Sequence, residues 1–65
     1  MEKMINAIEK ALSDEDEGIQ TYEEMAEAFS ELGHHGYAQI LHDMAAEEAM
    51  HAKHLKEILA EVAKG

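Results

Sequence analysis

The 65 residues include no Cys and no Pro, and 15 Asp and Glu against 5 Lys and no Arg give a formal net charge of −10. So short a chain holds one domain with a small core; disulfides and thiolate metal sites are closed to it, so a metal with other ligands, self-association or both must add stability. The charge excludes nucleic acid and anionic membrane as partners and favours cations, no apolar run nears the roughly 20 residues of a bilayer span, and Met1-Glu2-Lys3-Met4 lacks the features of a signal peptide, so a soluble cytoplasmic protein is expected.

The composition is rich in Ala, Glu, Leu, Met and Lys, which are strong helix formers. Disorder is the rival for so acidic a chain, but 46% of the residues are apolar and they recur with a helical period. From the N-terminus the apolar positions run Ile5, Ile8, Leu12, Ile19, Tyr22, Ala26 and Phe29, in alternating steps of three and four, with Glu15 standing where the series calls for Leu or Ile. This is the seam of a helix packed nearly parallel or antiparallel to others. A second stripe, Met4, Ala11, Gly18, Met25 and Leu32, lies beside it and widens the apolar face to what a bundle needs. Ser13-Asp14-Glu15-Asp16 has the look of a helix start, but the seam keeps its phase through it, so one helix over about residues 2–32 is expected. Gly18 inside that helix costs about 1 kcal/mol against Ala, and a close helix approach would account for it.

Gly33-His34-His35-Gly36 interrupts the pattern. Gly33 suits a left-handed stop and Gly36 a further turn, so residues 33–36 are expected to join two long helices into an antiparallel hairpin. The second helix is expected over about residues 37–63, with a seam of Leu41, Met44, Glu48, His51, Leu55, Ile58 and Val62, flanked by Ala45, Ala49 and Ala52. The whole chain, 1–65, then forms a single all-α hairpin domain.

Three ionisable residues intrude on these seams: Glu15, Glu48 and His51. Glu48 and His51 are three apart and so share a helix face. Counted from the loop, Glu15 lies roughly 25 Å along one helix and Glu48 and His51 roughly 17 and 21 Å along the other, so small offsets at the loop bring them to one level. One hairpin offers three ligands, and two hairpins offer four Glu and two His. That is the donor set of carboxylate-bridged two-metal bundles, a Glu from each of two helices and a Glu-x-x-His from each of the others. A homodimer, or a higher homo-oligomer, that completes a four-helix bundle would also complete the site. Oxygen and imidazole ligands suit iron or manganese and also admit zinc.

The run Glu15-Asp16-Glu17-Gly18-Ile19-Gln20-Thr21-Tyr22, followed by Met44-Ala45-Ala46-Glu47-Glu48-Ala49-Met50-His51-Ala52, resembles the rubrerythrin branch of the ferritin-like superfamily over nearly the whole chain. The resemblance implies Glu15 as a bridging or terminal carboxylate ligand, Glu48 as a bridging carboxylate, His51 as a terminal ligand and Tyr22 as a phenol beside them. It is closest in form to the half-ferritins, single hairpins that assemble a di-iron site between subunits, with two irons per dimer. Full rubrerythrins often carry a second iron centre held by four cysteines; without Cys, this chain would draw electrons from an external donor.

Each of these residues also has a plainer reading. Glu15, Glu48 and His51 can form a buried ion-pair network or a register device, although paired buried charge often stabilises little, and a divalent cation balances the surplus negative charge better. Tyr22 can be a core aromatic whose hydroxyl reaches a neighbour. His54, one turn past His51 but off the seam, reads as a partly exposed histidine or as a residue supporting the site. His34 and His35 read as solvated loop residues, and His42 as exposed next to Asp43. The expected function is oxidation of Fe(II) by O2 or peroxide at a di-iron centre, in iron handling or oxidative-stress defence, and the residues fit a ferroxidase, an oxidase and a peroxide scavenger equally. The alternatives are a non-catalytic acidic oligomerisation module and a static zinc-binding bundle.

Overall fold

A computed structural model describes residues 1–64, and these form two helices of equal length. Helix α1 spans Glu2–Glu31 and helix α2 spans His35–Lys64, each of 30 residues. At 1.5 Å per residue each is about 45 Å long, and the antiparallel pair fills a rod of 50 × 14 × 9 Å. No strand occurs among the described residues. No helix among them is long and apolar enough to cross a membrane.

The turn follows from one residue, Gly33, whose φ of 84° lies in the left-handed region. With Leu32 as the last near-helical residue, the Gly33 N–H donates to the Ser30 carbonyl (3.0 Å) and the His34 N–H to the Phe29 carbonyl (2.8 Å). These two bonds make a Schellman closure, which satisfies carbonyls left without partners at the end of α1. The His34 carbonyl then accepts from the Ala38 N–H at 3.1 Å and opens α2. The break is therefore Leu32–His34, shorter than residues 33–36. Gly36 lies in the first turn of α2 and is not needed for the reversal, because Gly33 completes it. The rings of Phe29, His34 and Tyr37 meet around the turn, with centroids 5.6–6.1 Å apart.

Helix α1 is continuous through Ser13–Asp16, and its inner face is the expected one. Ile8 and Ala26 are buried, and Ile5, Leu12, Glu15, Ile19, Tyr22 and Phe29 are half-buried. The inner face of α2 follows the expected seam at Leu41, Met44, Glu48, Leu55 and Val62, of which Met44 is half-buried, and departs from it at His51 and Ile58. Ala38, Leu41, Ala45 and Ala52 are buried and Glu48, Leu55, Leu59 and Val62 half-buried, whereas His51 and Ile58 are exposed. Alanines let the helices approach closely, so the hairpin packs through the alanine column. The column of Tyr37, Met44, His51 and Ile58 turns to the edge.

Two helices do not enclose a core. Among the described residues no large side chain is fully buried, and Met4, Met25, Leu32, Tyr37, Ile40 and Ile58 are 42–72% exposed. Met25, Tyr37 and Ile40 line one depression with Phe29 and Leu41. Residues seven apart share a column, so Met4, Met25 and Leu32 of α1 and Tyr37, Met44, His51 and Ile58 of α2 lie along the same side of the rod. The opposite side is polar: the His42 ring nitrogen Nδ1 meets Glu23 Oε2 at 3.1 Å, and Asp16, Lys53, Lys56 and Glu57 surround a groove floored by Ala49 and Ala52.

Candidate metal centre

Glu15 stands near the middle of α1, and Glu48 and His51 near the middle of α2. Antiparallel packing from a three-residue turn brings the three to one level, and one donor atom from each lies within 4.8 Å of the others. His51 Nδ1 is 3.6 Å from Glu15 Oε2 and 3.7 Å from Glu48 Oε1. Both separations are too long for hydrogen bonds. The carboxylates are inner and the imidazole is outer, with side-chain exposures of 21% for Glu15, 25% for Glu48 and 57% for His51.

Glu15 Oε2 is buried and has no hydrogen-bond partner. An orphaned carboxylate oxygen in the interior is costly. Two carboxylates at close range lack any donor of their own, so only a proton shared between them or a cation can satisfy both. The Glu48 carboxyl is held above the ordinary value of 4.5, most of all by the hydrogen-bonding influence of the neighbouring Glu15 carboxyl, then by burial and the Glu15 charge. His51 opposes the shift and the neighbouring charge of Glu47 adds to it. A divalent cation would satisfy the two carboxylates, with hard oxygen donors and one imidazole suited to iron, manganese or zinc. The residues therefore fit a metal.

A carboxyl whose proton is bound more tightly in the folded than in the unfolded chain stabilises the fold below its unfolded value, and the contribution is lost as pH rises through the elevated one. Metal-free protein is accordingly expected to lose the Glu48 contribution to thermal stability as pH rises above the ordinary carboxyl value of 4.5. Glu48→Gln, which cannot ionise, is expected to lose less, and thermal melts of the two proteins across that rise in pH measure the difference. Metal binding has the opposite dependence, because it needs Glu48 deprotonated and His51 neutral.

The other sequence-picked residues stand apart from the cluster. Tyr22 is half-buried in the Glu15 column, two turns further along α1. His54 is exposed one turn beyond His51, and His35 is exposed at the start of α2. His42 is exposed but bridges to Glu23 on the other helix, a pairing that local sequence does not signal. A further residue of the site is Gly18. A Cβ built there would stand 3.1 Å from Glu48 Oε2, so α1 approaches the carboxylate itself and not merely α2.

An all-helical hairpin with a lone inner Glu on one helix facing a Glu-x-x-His on the other defines a protein of the ferritin-like class. The rubrerythrin family model matches residues 6–65, and the chain belongs to the rubrerythrin family. Curated proteins and solved structures offer no match to it. Family membership implies iron binding, and Glu15, Glu48 and His51 form a group that could hold a metal ion.

Proposed function

We propose that two copies of the hairpin pack through their apolar sides into a four-helix bundle and together hold a pair of irons in an oxidoreductase of the ferroxidase type. The observation that carries this is the half-open cluster: a buried, unpartnered Glu15 Oε2 beside an outward-facing His51, set midway along an exposed apolar face. In the packed bundle two chains contribute four carboxylates, whose charge of about −4 two divalent cations balance, in the arrangement of Glu and Glu-x-x-His ligands known for helical bundles. Ion pairs from His51 at 3.6 and 3.7 Å still leave Glu15 Oε2 without a hydrogen-bond partner, and this favours a metal over a purely structural polar network.

Each ligand has a task in this reading. Glu15 anchors the ion from α1. Glu48 would close the site from α2 as a deprotonated carboxylate. His51 presents Nδ1, the nitrogen that faces both carboxylates, and leaves Nε2 to carry the ring proton. Packing of Tyr37, Ile40, Met44 and Ile58 against their counterparts would exclude water from the cluster. Bound iron supplies the redox chemistry, with Fe(II) oxidised to Fe(III) and O2 or peroxide as acceptor. With no Cys in the sequence, reducing equivalents for repeated peroxide turnover come from an external donor, and a cytoplasm that holds Fe(II) suits the reaction. An anaerobic Fe(II) titration followed by air tests the proposal. A ferric oxo-bridged absorption is expected in air, and tight binding with no spectral change would instead make the site a static one.

A further inference from the structure

Gly18 lies deep inside α1, and its φ is not positive. Its backbone therefore has no need of glycine, and Ala would be the better helix former. What the missing side chain leaves is a notch one turn along α1 from Glu15, on the same face. The end of Glu48 fills it: a Cβ at residue 18 would meet Glu48 Oε2 at 3.1 Å, Cδ at 3.7 Å and Cγ at 3.8 Å. With Oε2 seated over Gly18, Oε1 is the oxygen turned to His51, 3.7 Å from Nδ1. Helix α1 thus supplies one carboxylate directly, through Glu15, and places the other by contact, through Gly18.

We infer that Gly18 is a positioning residue of the metal centre: its bare backbone seats one oxygen of Glu48 and so sets where the carboxylate meets the metal. The inference rests on the metal-binding reading above and deepens it. It also accounts for a glycine at a helix-interior position, where it opposes helix formation. The crowded atoms belong to the far end of a flexible side chain, so Gly18→Ala displaces the carboxylate and leaves the helices in place. Gly18→Leu takes the seat entirely.

Co(II) alone is the probe, because its visible absorption reports ligand geometry as well as binding. Metal-free Gly18→Ala is expected to melt about 4 °C or more above the wild type, since a helix-interior glycine has been replaced. Its Co(II) affinity is expected to fall about tenfold, and that of Gly18→Leu about a hundredfold, the range by which partners orienting a ligand change affinity. The Co(II) absorption should shift as well. A gain in stability with a loss of metal is what a merely structural glycine does not give. Should Gly18→Leu fail to fold, Gly18→Ala decides alone. Wild-type affinity and spectrum in Gly18→Ala, or lower metal-free stability than wild type, overturn the inference while the metal site stands. A wild type that binds no Co(II) overturns the metal reading and the inference with it.

Discussion

Glu48→Ala is expected to abolish iron binding while leaving a fully helical protein. The two effects separate because Glu48 serves the site and not the fold. It sits among Ala45, Ala49 and Ala52 on α2, and Ala has the highest helix propensity. Its carboxyl faces Glu15, an arrangement that already raises its proton affinity, so removing it relieves like-charge crowding in the metal-free protein. Loss of a group that only orients a ligand reduces metal affinity by about 10–100-fold; loss of a carboxylate ligand is expected to exceed the upper end of that range. Metal analysis after gel filtration, with far-ultraviolet circular dichroism in parallel, reads both. Normal iron content in the variant would remove Glu48 from the site.

The second large effect is expected from residues that touch no ligand. Ile40 and Ile58 are 56% and 50% exposed in the hairpin, so replacing both with Lys removes little packing within one chain. Ile40 lies about 12 Å before Glu48 along α2 and Ile58 about 10 Å beyond His51. In the proposed bundle the same positions would be interior. Burying an isoleucine contributes about 1.5–3 kcal/mol and an unpaired buried ammonium costs several kcal/mol. Together these exceed much of the roughly 8 kcal/mol that holds a micromolar complex. The double variant is expected to be a helical monomer that binds no iron, although Glu15, Glu48 and His51 are intact. The formal charge moves from −10 to −8, by two added Lys, so greater self-repulsion is not an alternative cause. Sedimentation and metal content check it. A dimer as tight as wild type, or a monomer that holds iron as wild type does, would place the interface elsewhere.

How far the sequence can be read depends on which residues carry the pattern. The inner face of α1 is legible because both its columns hold large apolar residues, and Glu15 is conspicuous as the one carboxylate among them. The inner face of α2 is legible at Leu41, Met44, Glu48, Leu55 and Val62 but not at His51 and Ile58, because three adjacent columns are apolar. The larger residues, Met44 and Ile58, draw the seam toward themselves. Close approach adds the alanines at positions 38, 45 and 52, and Ile58 is left exposed on the edge while Met44 stays half-buried. His51 goes with that edge, so a residue placed on the seam by its spacing is the most exposed of the three candidate ligands. The turn is legible from Gly33 and overextended to Gly36, since sequence does not tell that one left-handed residue is enough. The Glu15–Glu48–His51 cluster is visible as polarity out of place. The seat of Glu48 on Gly18 and the Glu23–His42 bridge are not, because both depend on the longitudinal offset between the helices, which the turn geometry sets.

The most direct test of a metal centre shared between two hairpins is an anaerobic Fe(II) titration with the mass of the intact protein measured at each point. Binding that saturates at two irons per dimer, with none on the monomer, is the expected result. A dimer that holds no iron at saturation, or iron carried by single chains, would contradict it.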